Sequence, residues 1–286
     1  MAFGLERIQG IVIAKTPIMH GGNEKTGSTI MLNRRKFIVN GKPVDVPIIS
    51  GNAVRGYLRR LFMKDFLNQI GYEIDYSKKG GVRLHHALFS GGLLESLDSS
   101  KSGVIDINFK KKVVKYLIPA TIFGFSFGNQ MIESKLKPMM LLPICRELKG
   151  TYIPEDIELP EWYNPNVSFY ELIDTPFQTR KDELRMERER GEQAVQMIID
   201  YEAFVAGTVF YHEFRLEDPE PIELSAMARI LELWKMKPFI GAKSSIGFGE
   251  VEIRYKFDKT SEEYLNFLQK NKDEIVAILD ELQEVV

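Results

Sequence analysis

Residues 238–251 crowd glycine, serine and lysine together, with Gly241, Ala242, Lys243, Ser244, Ser245, Ile246, Gly247, Phe248 and Gly249 in succession. Glycine lets a backbone take positive φ and approach a bulky ligand, and successive free N–H groups can form an anion-binding concavity. A second stretch offers the same chemistry by another route. Ser50 or Asn52, with Gly51 between them, can cap a helix whose first turns carry Arg55 and Arg59 on one face. A capped helix start beside arginines attracts phosphate. A third stretch, His20-Gly21-Gly22-Asn23-Glu24-Lys25, is short of apolar groups and reads as a polar loop offering amides and a lysine, and Asn33-Arg34-Arg35-Lys36 adds a basic cluster. Each stretch also has a plain reading, as a turn, a cap or a solvated charge run. What they share is phosphate binding.

Groups suited to turnover are sparse. One cysteine, Cys145, and four histidines, His20, His85, His86 and His212, show no zinc-ligand spacing, so neither a disulfide framework, a metal site nor another cofactor is expected. His85 and His86 are adjacent, point about 100° apart on a helix, and read as structural. His20 has no convincing second acid or base. No catalytic residue is assigned.

The elements that must position these groups follow from periodicity. Residues 5–14 are rich in β-branched side chains and stop before Pro17, a first strand. Asn40-Gly41 between apolar runs marks a hairpin that presents the basic cluster. A helix over 52–70 repeats Val54, Leu58, Leu61, Phe62 and Phe66 at three- and four-residue steps, and a second helical patch spans 84–97. Phe123, Phe125 and Phe127 read as core residues in preference to stacking platforms. Residues 137–147 form an edge or bulged strand between Pro138 and Pro143, and 197–216 a long strand or hairpin bent at Ala206-Gly207. A helix over 221–236, a last core strand over 248–257 and one C-terminal helix over 261–285 complete the chain. The order strand, helix, strand, strand, helix, strand is that of a ferredoxin-like or RRM-like α+β core.

With 44% hydrophobic residues over 286 positions, a single decorated domain is expected, with insertions over about 72–136 and 148–196. The second insertion is punctuated by proline and then almost wholly charged, including Arg180 and Lys181. A net charge of −2 excludes a globally basic nucleic-acid binder, so any such surface must be local. Charged Glu6 and Arg7 and the lack of a long apolar run point to a soluble, cytoplasmic protein that makes no membrane contact.

Taken together, Ile48-Ile49-Ser50-Gly51-Asn52-Ala53-Val54-Arg55-Gly56-Tyr57-Leu58-Arg59 and the late glycine loop resemble the RAMP superfamily of CRISPR systems. Glu202, Gly207, Thr208 and Phe210 resemble the Glu-x-x-x-x-Gly-Thr-x-Phe pattern of its backbone subunits. The resemblance implies a guide-RNA-binding subunit of an interference complex, stacked head to tail with copies of itself beside other CRISPR subunits, its guide pairing with target nucleic acid. It implies guide contacts from His20, Gly21, Gly22, Asn23, Lys25, Asn33, Arg34, Arg35, Ser50, Gly51, Asn52, Arg55, Arg59, Gly241, Lys243, Ser244, Ser245 and Gly247. Arg180 and Lys181 would lie in a thumb folded over the guide. The alternatives are RAMP endoribonucleases, one cutting target RNA with a metal and one processing guide precursors. Cutting relatives place an aspartate near the position of Asn33, whose neutral amide would hold a cation less strongly.

Overall fold

A computed structural model describes residues 4–26, 29–78, 80–92, 106–127, 130–180 and 197–285. After β1 (Leu5–Ala14) come two hairpins, β2 (Gly21–Thr26) with β3 (Thr29–Leu32) and β4 (Arg34–Val39) with β5 (Lys42–Pro47), then α1 (Gly51–Ile70). Helices α2 (Gly81–Ser90), α3 (Ile107–Tyr116) and α4 (Ile118–Phe123) precede β6 (Phe125–Phe127), β7 (Gln130–Ile132), β8 (Leu136–Pro138) and β9 (Leu142–Pro143). Short strands β10 (Ile173–Asp174), β11 (Phe177–Arg180), β12 (Met197–Asp200) and β13 (Ala203–Phe204) lead to β14 (Val209–Glu217), α5 (Pro221–Met236) and β15 (Val251–Tyr255). The chain closes with α6 (Glu262–Lys270) and α7 (Lys272–Val285).

The central sheet runs β15-β1-β14-β8, with β9 also on β14, and every pairing is antiparallel. Helix α1 links β1 to the β8–β9 edge and α5 links β14 to β15. This is the ferredoxin-like arrangement expected from sequence. Alternation along the strands divides two cores: Ile8, Val12, Phe210 and Phe214 face the helices, while Ile11, Ile13, Val209 and Tyr211 face the β4–β5 hairpin and the segment 142–172. Helix α1 forms because Ser50 Oγ accepts from the Ala53 amide at 3.3 Å and Val54, Leu58, Phe62 and Phe66 line one fully buried stripe. Gly71, at φ 64°, ends it.

Three expectations change. The helix foreseen over 261–285 is two helices meeting at Asn271, at φ −110°, whose side-chain amide donates to the Phe267 carbonyl at 2.8 Å beside its own backbone N–H at 3.1 Å, a local side-chain bond of the kind that competes with helix continuation. Of the polar loop foreseen at 20–28, residues 21–26 are instead strand β2, paired with β3, and residues 27–28 lie outside the described ones. The second helical patch ends at Ser90, and residues 93–105 lie outside the described ones. Phe123, Phe125 and Phe127 are buried as core.

Gly10 occupies the middle of the sheet, in register with Tyr255 on one side and His212 on the other. Tyr255 Oη and His212 Nδ1 meet at 2.7 Å, and His212 Nε2 lies 3.0 Å from the Met139 carbonyl. The carbonyl can only accept, so Nε2 carries the proton and Nδ1 accepts from the tyrosine. A Cβ on Gly10 would fall onto the Arg254 carbonyl oxygen and 2.5 Å from the Tyr255 ring. Gly10→Ala is therefore expected to cost roughly 1–3 kcal/mol of stability, as overpacking does. Urea unfolding checks it, and an unchanged midpoint would show that the strands can part without penalty.

A candidate phosphate-binding rim

Residues 17–20, just beyond β1, present their backbone to both ends of the glycine loop, to β13 and to Asn33. Pro17 O accepts from Gly249 N at 2.8 Å, Ile18 exchanges both bonds with Phe204, Met19 O accepts from Ala242 N at 2.8 Å, and His20 O accepts from Asn33 N at 2.9 Å. Gly241 is required here: its φ is 86°, and a Cβ would sit 2.5 Å from Met19 O. Gly21 and Gly22 serve the same end, because a Cβ on either would come within 3.1 Å of Ile30 or Asn33. They permit close strand packing where an open anion loop was foreseen. Asn23 and Lys25 lie in β2.

His20 draws the predicted residues together. Its Nε2 accepts from the Ser50 amide at 3.2 Å and faces Asn33 Nδ2 at 3.3 Å. Two donors on one nitrogen require its lone pair, so the imidazole is neutral with its proton on Nδ1. Burial, then the nearby Arg35 charge, hold its pKa below the usual 6.5. Asn33 Oδ1 accepts from Arg35 Nη1 at 2.8 Å, so both ends of the Asn33 amide are engaged and Arg35 is aimed along the rim.

Arg34 goes elsewhere. Side chains on a strand alternate in direction, and its guanidinium meets Glu202 in two contacts of 2.9 and 2.8 Å. Glu202 also accepts the Leu32 amide at 2.8 Å. Beside it, the Tyr201 ring lies 4.3 Å beneath Lys243 Nζ and 5.8 Å from the Phe248 ring. Beyond Lys243, a 3₁₀ turn at Ser244–Ile246 ends on Gly247, at φ 89° with open space around it, so Ser244, Ser245 and Gly247 form an exposed tip.

The first turns of α1 open onto a cavity of about 610 Å³ lined by Asn52, Arg55, Arg59, Arg60, Glu133 and Lys137, among others, with Lys137 paired to Glu133 at 3.4 Å and Glu217 at 3.2 Å. Gly51 lets the helix start abut the Pro138 carbonyl. Arg55 and Arg59 both donate to the Phe123 carbonyl at the end of α4, and Arg59 also donates to Gly124 O. Only 6% of Arg59 is exposed, and burial followed by the Arg55 charge pushes its pKa down to about 10. Other enclosed arginines have carboxylates: Arg34 has Glu202 and Arg229 has Asp65 at 2.7 Å. Among the described residues Arg55, Arg59 and Arg60 have none, and Arg59 Nε has no hydrogen-bond partner. An anion would answer this charge.

His20, Asn33, Arg35 and Ser50 are thus in contact, with the Gly241 loop joined through Met19 and the Asn52–Arg55–Arg59 face on the next turns of α1. Arg180 ends β11, and Lys181 lies outside the described residues. Sequence reasoning did not place Arg60, Lys137, Tyr201 or Phe248 at the site. The Arg59-Arg60 pair was a visible signal for the first, whereas the others depend on contacts across the chain.

Two outcomes follow. Glu202→Ala strands the Arg34 charge and is expected to cost roughly 3–5 kcal/mol, much of it recovered by adding Arg34→Met; denaturant unfolding of the single and double variants measures this, and additive losses would refute the coupling. Because His20 has a depressed folded pKa, its contribution is complete above its unfolded value of 6.5 and is lost as pH falls through the lower folded value. His20→Gln should flatten the acid side of the stability-versus-pH curve, and an unchanged slope would show that the imidazole protonates freely.

No family model matches the sequence, and no curated protein does. Among solved structures the chain is similar to one in a structure titled "Type IV-B CRISPR Complex", with 17% identity, 88% of this chain and 90% of that chain covered, and a TM-score of 0.60. At that identity the likeness is one of fold, and it spans nearly the whole of both chains.

Proposed function

We propose that this chain is a RAMP-type backbone subunit of a CRISPR effector complex, holding guide-RNA phosphates and stacking head to tail with its own copies beside other subunits. The observation that carries this reading is the run of cations without carboxylates on the first turns of α1, next to the His20–Asn33–Arg35–Ser50 cluster and the glycine loop. The fold it shares with a chain of a CRISPR complex supports it.

On this reading the guide backbone runs past Gly21 and Gly22, over Asn33 and Arg35, across Ser50 and Asn52, to Arg55 and Arg60, with Lys243 and the Ser244–Ser245 tip on its flank. Arg59 charges the track from beneath. Arg34 braces Arg35 through the strand while its own charge is held by Glu202. Phosphate contacts fix position and carry no sequence, so base edges stay free to pair with a target strand. The chemistry is binding: Asn33 is tied to His20 and Arg35, and the His20 lone pair is occupied by donors.

Mobility shifts with two unrelated single strands test this. Both should bind, with log affinity falling linearly against log salt by about 0.7 per phosphate engaged. Arg35→Ala combined with Arg60→Ala should weaken binding on both strands alike and make that slope shallower by about 0.7 for each phosphate no longer held. Tight, salt-independent binding to one strand alone would sink the proposal, as would Mg²⁺-dependent cleavage of a paired target that vanishes in Asn33→Ala.

A further inference from the structure

On the helical side of the molecule, α3 has two working faces. Phe109 and Val113 are buried in the core, while Ile107, Lys110, Lys111 and Val114, at i, i+3, i+4 and i+7, form a second stripe. That stripe walls a groove of about 510 Å³ whose floor includes Ile118, Ile222 and Phe267, contributed by α4, α5 and α6. Ile107 is 61% exposed and Val114 42%. Apolar side chains stand open between lysines.

The charges around this groove do not cancel. Glu223, at its base, is consumed by Lys135 at 2.6 Å and Thr121 at 2.6 Å, and the Glu220 side chain caps the start of α5. Lys115 rests over the Tyr116 ring at 4.7 Å. Among the described residues no carboxylate pairs with Lys110, Lys111 or Lys115. A phosphate backbone would satisfy the lysines but leave Ile107 and Val114 facing water. An occupant with both acid and apolar groups satisfies the whole surface.

We propose that this groove docks an amphipathic helix of a protein partner, with large apolar residues along one stripe and Asp or Glu on its flanks. The cavity is too small for a helix and large enough for its apolar anchors, as in helix-in-groove recognition. A second copy of this chain is the weaker occupant. Its acidic stretch 155–161 has Ile157 and Leu159 already packed into its own second core, Glu158 is held by Lys256 at 2.7 Å, and Pro154 and Pro160 interrupt any helix. Trp162, 61% exposed, is the one large anchor left there.

Fluorescence anisotropy on the full chain without RNA tests the groove, with labelled helical peptides bearing Leu on one face and either Glu or Lys on the other. The Glu peptide should bind, and Lys111→Glu with Lys115→Glu should weaken it by about tenfold or more. Val114→Asp, which keeps every lysine, should weaken it similarly. Both variants alter exposed residues, and unchanged thermal unfolding verifies the fold. Equal binding of the Lys peptide would overturn the proposal. So would self-association, or binding of a single-stranded RNA, that takes the place of peptide binding and disappears in the same variants. The groove is separate from the phosphate rim, so Arg35→Ala with Arg60→Ala should leave peptide binding intact, which keeps this result independent of the guide-RNA reading.

Discussion

Four consecutive residues, Pro17 to His20, hold the rim together, and little of the site would exist without them. Between Pro17 and His20 the chain is extended, and each residue pairs with a different distant segment: the end of the glycine loop, β13, the start of the glycine loop, and the junction of β3 and β4. Such a segment cannot shift to satisfy one partner without breaking the others. The His20 side chain adds a fifth tie, to the amide of Ser50 at the cap of α1. That amide precedes the first helical turn, so the cap and the imidazole are set in one geometry. A protonated imidazole could not accept there, which is why the neutral form is part of the architecture.

A second constraint is how charge is distributed among the enclosed arginines. Arg34 and Arg229 each have a carboxylate close by, at 2.8 and 2.7 Å, which offsets part of the desolvation of an enclosed charge. Through its contacts with Arg34 and the Leu32 amide, Glu202 also ties together the two hairpins that flank Asn33. Arg55 and Arg59 receive only carbonyl oxygens, and these supply partial charge where a carboxylate supplies a full one. Positive potential is therefore left over at the mouth of the α1 cavity.

Much of this was legible in the sequence where local period and burial agree. The strand Leu5–Ala14, the helix Gly51–Ile70 with its Ser50 cap, the Asn40-Gly41 turn at φ 49° and 76°, and the helix Pro221–Met236 all follow from spacing and capping chemistry. The C-terminal break at Asn271 was not, because Phe267, Leu268, Ile275 and Leu279 keep a helical period straight across it. In the site, residue types were legible and their grouping was not. Arg34 and Arg35 look like one basic cluster as a string; with the strand beginning at Arg34, its alternation sends them to different partners. Gly21 and Gly22 are explained by what lies across the hairpin, which composition does not reveal.

The sheet itself limits where binding can occur. One face is covered by helices; on the other, the β4–β5 hairpin with the segment 142–172 covers Ile11 and Ile13 while Arg7 and Gln9 at the start of β1 stay exposed. At its centre even a Cβ on Gly10 has no room, because the Arg254 carbonyl and the Tyr255 ring close over it. At the rim where the sheet connections emerge, the backbone of residues 17–20 is held by hydrogen bonds. A site built in this way keeps its amides and guanidiniums in fixed positions while leaving its outer side open, which suits an extended polyanion lying across the rim better than a small molecule enclosed within it.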